Sequence, residues 1–262
     1  MSREVNKLIS IIEEIAPKEL MEEWDNTGVQ ILTDKNEVKR ILVCLDVCDE
    51  TVDEAIENGC DFIVSHHPLI FSGIKRIDVG SAKGRYIIKL IKNDICVYSS
   101  HTSFDTAIGG NNDYLAKLLG LNDVRVPEAE PIMRVGSLSK PMQMKEVCTL
   151  VNERIMNNKG LSYSGELERE IKAVGICTGA GVSLMDAAIK EGCELLITCD
   201  VKYHDFQRAE ELGISIIDAG HFETEIHFCE NMKDKLEKRL NNEAEVIASQ
   251  AQKNSLKRFF ML

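Results

Sequence analysis

The sequence predicts an α/β fold built from two similar sheet-and-helix domains. Three observations carry that expectation. Apolar runs of strand length alternate with helical patterns along most of the chain. A stretch in the second half matches one in the first without a gap. The composition, 44% hydrophobic and 28% charged over 262 residues, is that of an ordinary globular protein long enough for two modest cores.

The chain begins with MSREVNKLISIIEEIA, an apolar pattern interrupted by acids, which reads as an amphipathic helix and not as a secretory leader. Strands follow at Gly28–Leu32, Arg40–Leu45, Phe62–Ser65 and Ile95–Ser99. Helices over Glu50–Asn58 and Lys83–Lys92 separate the later ones. A helix over Asn111–Leu119 precedes Asn122–Pro131, whose two prolines and three acids suggest a linker. Beyond it come strands at Met133–Leu138, Ile171–Cys177, Leu195–Thr198 and Ile214–Asp218. Helices fall at Lys145–Asn157 and Leu184–Glu191. We expect a first domain over 1–125 and a second over 126–262, with the last helix packing back on the first.

Shifted by 133 positions, Arg40–His67 aligns onto Ala173–Asp200. Cys44 meets Cys177, Asp53 meets Asp186, Ala55 meets Ala188, Gly59 meets Gly192 and Cys60 meets Cys193. Shifted by 120, His101 meets His221 and Asp105 meets Glu225. Each half therefore reads strand, helix, strand, connection, strand, then a histidine with an acid four places on. Chance likeness of two α/β units is the competing explanation; the ungapped D-x-A-I-x-x-G-C match favours duplication.

Composition also bounds function. A net charge of −12 argues against a diffuse nucleic-acid binder, though a local basic patch is compatible with it, and no apolar run is long enough to span a bilayer. Nine cysteines, with no C-x-x-C pair, are expected as free thiols, mostly buried, in a cytoplasmic protein. A tetrathiolate zinc site has no support in their spacing.

The chemistry concentrates in histidines. SHHPLIF puts His66 and His67 at the end of an apolar run; YSSHTSFD and DAGHFETE each place a histidine at a run end and a carboxylate four residues later. In α/β sheets, ligands gather beyond the carboxyl ends of strands. Within a strand, adjacent side chains point to opposite faces; at its end, where Pro68 interrupts pairing, both rings can converge. Positions four apart share one face of a helical turn, so His221 and Glu225, and likewise His101 and Asp105, can address one region. A single strand-end histidine is ordinarily just hydrogen-bonded, the reading kept for His227. The pair and the duplicated motif together point to a metal centre. Imidazole and carboxylate suit zinc, iron, manganese or nickel better than calcium. Five or six donors are many for one ion and would serve two ions bridged by a carboxylate and water, which can bring a water to hydroxide near neutral pH.

Three further features stay open on sequence alone. His204 lies just past the positions matching His66 and His67 and could sit at the rim of the site. Asp200 matches His67 and is read either as a carboxylate that orients a metal ligand or as an ordinary helix cap. The glycine-rich stretches IGGNN (108–112) and TGAGVS (178–183) can present amides to a phosphate, but tight turns explain them as well.

These residues resemble the dinuclear-metal-centre hexameric proteins, also labelled GTP cyclohydrolase 1 type 2 or Nif-three-like. The likeness runs from EWDNTG through CLDVCDETVDEAI, SHHPLIF and YSSHTSFDTAIGGNNDYLAKLLGL to RVGSL, TCDVKYH and DAGHFETE. It implies two similar α/β domains with a two-metal site between them and a ring-shaped homohexamer. It implies two divalent ions per chain, iron, zinc or manganese, held by His66, His67, Asp105, His221 and Glu225. His101 matches a further site histidine, with a role in supporting a ligand or transferring a proton. Ser103 stands where relatives usually carry asparagine, at a position that is not a ligand. The implied activity is that of a metal-dependent hydrolase or cyclohydrolase acting on a small molecule, a nucleotide by the family label. A non-catalytic, metal-containing hexameric scaffold or regulator is the alternative.

Overall fold

A computed structural model describes residues 3–257. Among these the chain forms two compact units: one comprises the chain up to Ala107 together with Phe228–Ser255, the other is built on Ile108–His227. Both are α/β, as the alternation of apolar runs predicts.

In the first unit, a five-stranded sheet has the order β1-β4-β3-β2-β11. The strands are β1 (Gly28–Ile31), β2 (Arg40–Cys44), β3 (Phe62–Ser65), β4 (Cys96–Ser99) and β11 (Glu245–Ala248). β2, β3, β4 and β11 run parallel; β1 is antiparallel on one edge. β2, β3 and β4 are apolar almost throughout because helices cover both faces. One face is covered by α1 (Arg3–Ile15) and α10 (Phe228–Leu240), which bury Val5, Leu8, Ile12, Phe228, Met232 and Leu236 against Ile41, Val43, Phe62 and Tyr98. The other is covered by α2 (Asp49–Glu57) and α3 (Ala82–Lys92), which contribute Val52, Ala55, Ile87 and Leu90.

In the second unit, six strands have the order β5-β6-β8-β9-β10-β7. They are β5 (Asn122–Arg125), β6 (Arg134–Gln143), β7 (Ser162–Ser164), β8 (Glu170–Ile176), β9 (Leu195–Thr198) and β10 (Ser215–Asp218). β8, β9 and β10 are parallel, and β7 is antiparallel to β10 as β1 is to β4. α5 (Asn111–Leu119) and α6 (Met144–Arg154) cover one face, α7 (Met185–Lys190) and α8 (Tyr203–Leu212) the other. The stretch expected as a linker, Asn122–Pro131, begins instead with β5, paired antiparallel to β6. All four of its residues are exposed, so no apolar pattern marks them.

The duplication extends to individual hydrogen bonds. An Asp61 carboxylate oxygen accepts from the Lys39 and Arg40 amides at 2.7 and 3.1 Å; one Glu194 oxygen accepts from Lys172 and Ala173 at 2.5 and 2.9 Å. Each of these pairs is 133 positions apart. The shared D-x-A-I-x-x-G-C pattern has a local cause. Ala55 and Ala188 are fully buried under their helices, and Gly59 and Gly192 take left-handed φ values of 63° and 80° to stop them. Cys60 and Cys193 then donate their amides back to those alanines at 2.8 and 2.9 Å.

The halves also trade a helix. α5 follows the first histidine-acid motif in sequence but packs with α6 in the second unit; α10 follows the second motif but packs with α1 in the first. Phe228 can therefore sit 4.9 Å from the His66 ring and edge-on to Phe104 at 5.0 Å, although more than 120 residues separate it from either.

Candidate metal centre

His66 and His67 leave the end of β3, where their amides still pair with the Cys44 and Leu45 carbonyls at 3.0 and 2.9 Å. Beyond the strand the rings converge, with centroids 5.1 Å apart. His101 follows β4 and leads into a single helical turn, α4 (Thr102–Thr106); its ring is 5.2 Å from His66 and 5.6 Å from His67. One nitrogen from each of these three histidines lies within 4.8 Å of the others. Asp105 is 3% exposed, and its Oδ2 lies 3.7 Å from Nε2 of the fully buried His66.

The second unit has the parallel arrangement after β10. His221 and Glu225 are the ends of one helical turn, α9 (His221–Glu225), and His221 Nε2 is 3.0 Å from Glu225 Oε2. Glu225 is 2% exposed. Gly179, at φ +65°, runs directly beneath it: a β-carbon there would stand 2.5 Å from Glu225 Oε1. The TGAGVS stretch is therefore a close backbone approach to an acid, which a side chain would obstruct. IGGNN is structural too: Asn112 Oδ1 accepts the Thr178 amide at 2.7 Å and its Nδ2 donates to the Ile132 carbonyl at 2.8 Å.

Four histidines share one pattern: Nδ1 is tied to an oxygen. His66 Nδ1 is 3.0 Å from the Ser100 carbonyl, His67 Nδ1 2.8 Å from Asp46 Oδ1, His101 Nδ1 2.8 Å from Asp25 Oδ1, and His221 Nδ1 2.7 Å from Asp200 Oδ2. A carbonyl can only accept, so His66 carries its proton on Nδ1; a carboxylate partner favours the same tautomer in His67 and His101, while His221 faces a carboxylate oxygen at each ring nitrogen. In His66, His67 and His101, Nε2 is then the nitrogen that carries the lone pair. An oxygen behind Nδ1 is the usual support of a histidine that binds a metal through Nε2. These imidazole and carboxylate groups are close enough together to hold a metal ion.

His101 and Asp105 both lie beside His66. The carboxylate partner of His101 is Asp25, while Asp105 faces His66. Asp25 is well anchored. It accepts from the Thr27 hydroxyl at 2.8 Å, the Thr102 hydroxyl at 2.6 Å and the Thr102 amide at 3.2 Å. Burial works to raise its pKa, but the hydrogen bond and charge of His101, with the two threonine hydroxyls, outweigh this and hold the carboxyl well below the usual range. Sequence reading singled out neither Asp25 nor Asp46. Each is distant in the chain from its histidine, and only the folded sheet brings them together. Asp200 does lie against a site histidine, in a left-handed conformation (φ 55°) that turns it toward His221.

The remaining histidines stay apart from these groups. His227 packs 5.1 Å from Tyr114, and burial lowers its pKa. His204 is exposed beside Tyr203 on α8. All nine cysteines are free thiols. No helix among the described residues is long and apolar enough to cross a membrane.

The chain is similar to known proteins over nearly its whole length. The sequence profile of the Duf34/NIF3 (NGG1p interacting factor 3) family matches residues 3–255. A Clostridium perfringens protein named GTP cyclohydrolase 1 type 2 homolog is 37% identical over 95% of this chain and 97% of its own length. The Drosophila melanogaster NIF3-like protein 1 is 30% identical over 95% of this chain and 88% of its own. A crystal structure of a Staphylococcus aureus hypothetical protein superposes with a TM-score of 0.91 at 25% identity, covering 99% of this chain and 100% of that one. With a matching profile over nearly its whole length, two α/β units and histidine-carboxylate sets at the strand ends of each, the chain belongs to the Duf34/NIF3 family.

Proposed function

We propose that this protein is a metal-dependent hydrolase or cyclohydrolase in which His66, His67, Asp105, His221 and Glu225 hold two divalent ions. The observation that carries this reading is the shared histidine geometry, each Nδ1 engaged by an oxygen so that Nε2 is presented as a ligand. When bound, such ions supply Lewis acidity and make water a usable nucleophile near neutral pH.

The residues of the chain perform the rest. Asp46 and Asp200 hold the rings of His67 and His221 in one orientation. Asp105 and Glu225 bring negative charge into nearly dry surroundings, where a cation compensates the cost of burying them. His101, kept as the Nδ1–H tautomer by Asp25, presents Nε2 as the general base and acid that moves a proton to or from the reacting molecule. The GTP cyclohydrolase name borne by relatives makes a nucleotide the first substrate to try. A ring-shaped homohexamer is proposed on the resemblance; exposed Leu32, Ile74, Ile77, Val79 and Ile91 support self-association.

The test is turnover of GTP, other nucleotides and a panel of phosphoesters by protein loaded separately with zinc, iron and manganese. Metal-dependent turnover that is lost in His101→Ala, with metal content retained, is the expected result. Full metal occupancy with no turnover of any substrate under any metal would favour the scaffold role instead.

A further inference from the structure

Resting on the hydrolase reading above, we infer that Trp24 and Phe71 form a binding platform for a planar heteroaromatic ring, seating it against His101. Trp24 is 59% exposed and Phe71 50%. A lone exposed apolar residue is ordinary, but these two flank one reactive side chain. The Trp24 ring lies 6.0 Å from His101 at 75°, and the Phe71 ring 6.5 Å from it at 82°. The two aromatic rings are 6.0 Å apart and inclined at 56°, so they do not cover each other by parallel stacking. Both present an aromatic surface to solvent beside the imidazole assigned to proton transfer.

The platform is built into the fold. Trp24 is followed by Asp25, whose carboxylate is anchored by His101, Thr27 and Thr102. Phe71 is preceded by Ile70, whose carbonyl accepts from Asn26 Nδ2 at 2.5 Å and whose amide donates to Gln30 Oε1 at 3.0 Å. The backbone segments carrying the two rings are thus tied to each other, which lowers the ordering cost of binding. Aromatic surfaces with a few placed polar groups recognise flat rings by stacking, while the polar groups fix orientation. Here the polar group next to the stacking surface is His101, so a ring seated there would lie within reach of proton transfer. Aliphatic phosphoesters have no flat face to offer and would gain little.

Trp24 is the only tryptophan in the chain, so intrinsic fluorescence reports on the platform directly. Zinc-loaded full-length protein is titrated with guanosine, nicotinamide and, as a flat-ring-free control, ribose. Saturable quenching by one or both heteroaromatics and none by ribose is expected. Phe71→Ala should weaken that binding about five- to 150-fold, the range for losing one aromatic stacking partner, with zinc content unchanged. His67→Ala separates the two readings: loss of zinc with quenching retained supports the platform while testing the metal ligands. Zinc retained at full stoichiometry in His67→Ala would count against the metal assignment alone. Quenching that never saturates, equal responses to ribose, or emission that depends on protein concentration and not on ligand would overturn the platform; the last would mark a contact between copies.

Discussion

Replacing Gly179 with alanine tests whether the TGAGVS turn exists to make room for Glu225. Two effects add. At φ +65° an alanine pays the left-handed backbone penalty, about 1–2 kcal/mol. Its β-carbon would also stand 2.5 Å from Glu225 Oε1, and real β-carbons essentially never come under 3.0 Å, so one of the two must move by about half an ångström. Glu225 is 2% exposed and has little space to retreat. A displacement of about 0.5 Å is already the tolerance of a functional constellation, and disturbing groups of this kind lowers metal affinity about 10- to 100-fold. Gly192 supplies the control. It has φ +80° and nothing within 4 Å of its would-be β-carbon, so Gly192→Ala carries the backbone penalty without the collision. Chelator-competition titration of zinc, with thermal melts of the metal-free proteins alongside, separates the two effects. Both variants should lose similar stability to the backbone term, and only Gly179→Ala should also lose metal affinity. Unchanged zinc affinity in Gly179→Ala, or an equal loss in Gly192→Ala, would refute the reasoning.

Asp61→Asn should destabilise the protein by about 1–2 kcal/mol at pH 7, since charged hydrogen bonds to two amides are lost, discounted for the partly exposed Lys35 partner. Burial works to raise the Asp61 pKa, but Lys35 and the Lys39 and Arg40 amides lower it overall. A depressed carboxyl stabilises above its unfolded value of about 4 and loses that contribution as pH falls through the folded value. Urea melts should therefore show the gap between wild type and Asp61→Asn closing at acid pH; a gap that widens there would contradict the assignment. Nitrogen-15 shifts of the histidine rings should report His101 as the Nδ1–H tautomer in metal-free protein. In Asp25→Asn, where an amide faces donors on both sides, that preference should weaken and stability fall by about 1–3 kcal/mol. An unaltered His101 spectrum would remove Asp25 from its orienting role.

Much of this molecule was readable because its local signals agree with its global ones. β3 and β9 fall at the residues predicted, Phe62–Ser65 and Leu195–Thr198, since continuous apolar runs bounded by charge or turn residues have few alternatives in a sheet covered on both faces. The duplicated motif led to both histidine-acid turns. What the sequence hid depends on contacts far apart in the chain. β5, exposed along its whole length, and β7, three residues long, have no periodicity to detect, and β11 is recognised as a strand only through its pairing with β2. The helix trade between halves leaves no local mark, because α5 and α10 have ordinary amphipathic patterns wherever they pack. Asp25 and Asp46 are unremarkable acids until the fold sets them behind His101 and His67. Gly179 could be read as a turn glycine, and its reason emerges only from the carboxylate beside it.

The central claim is that five side chains hold a pair of ions, and elemental analysis of the purified protein and its His67→Ala variant tests it most directly. Two divalent ions per chain in the wild type, with a sharp fall in the variant while its circular dichroism stays native, is the predicted result. A wild type without bound metal, or a variant that still holds two ions per chain, would contradict it.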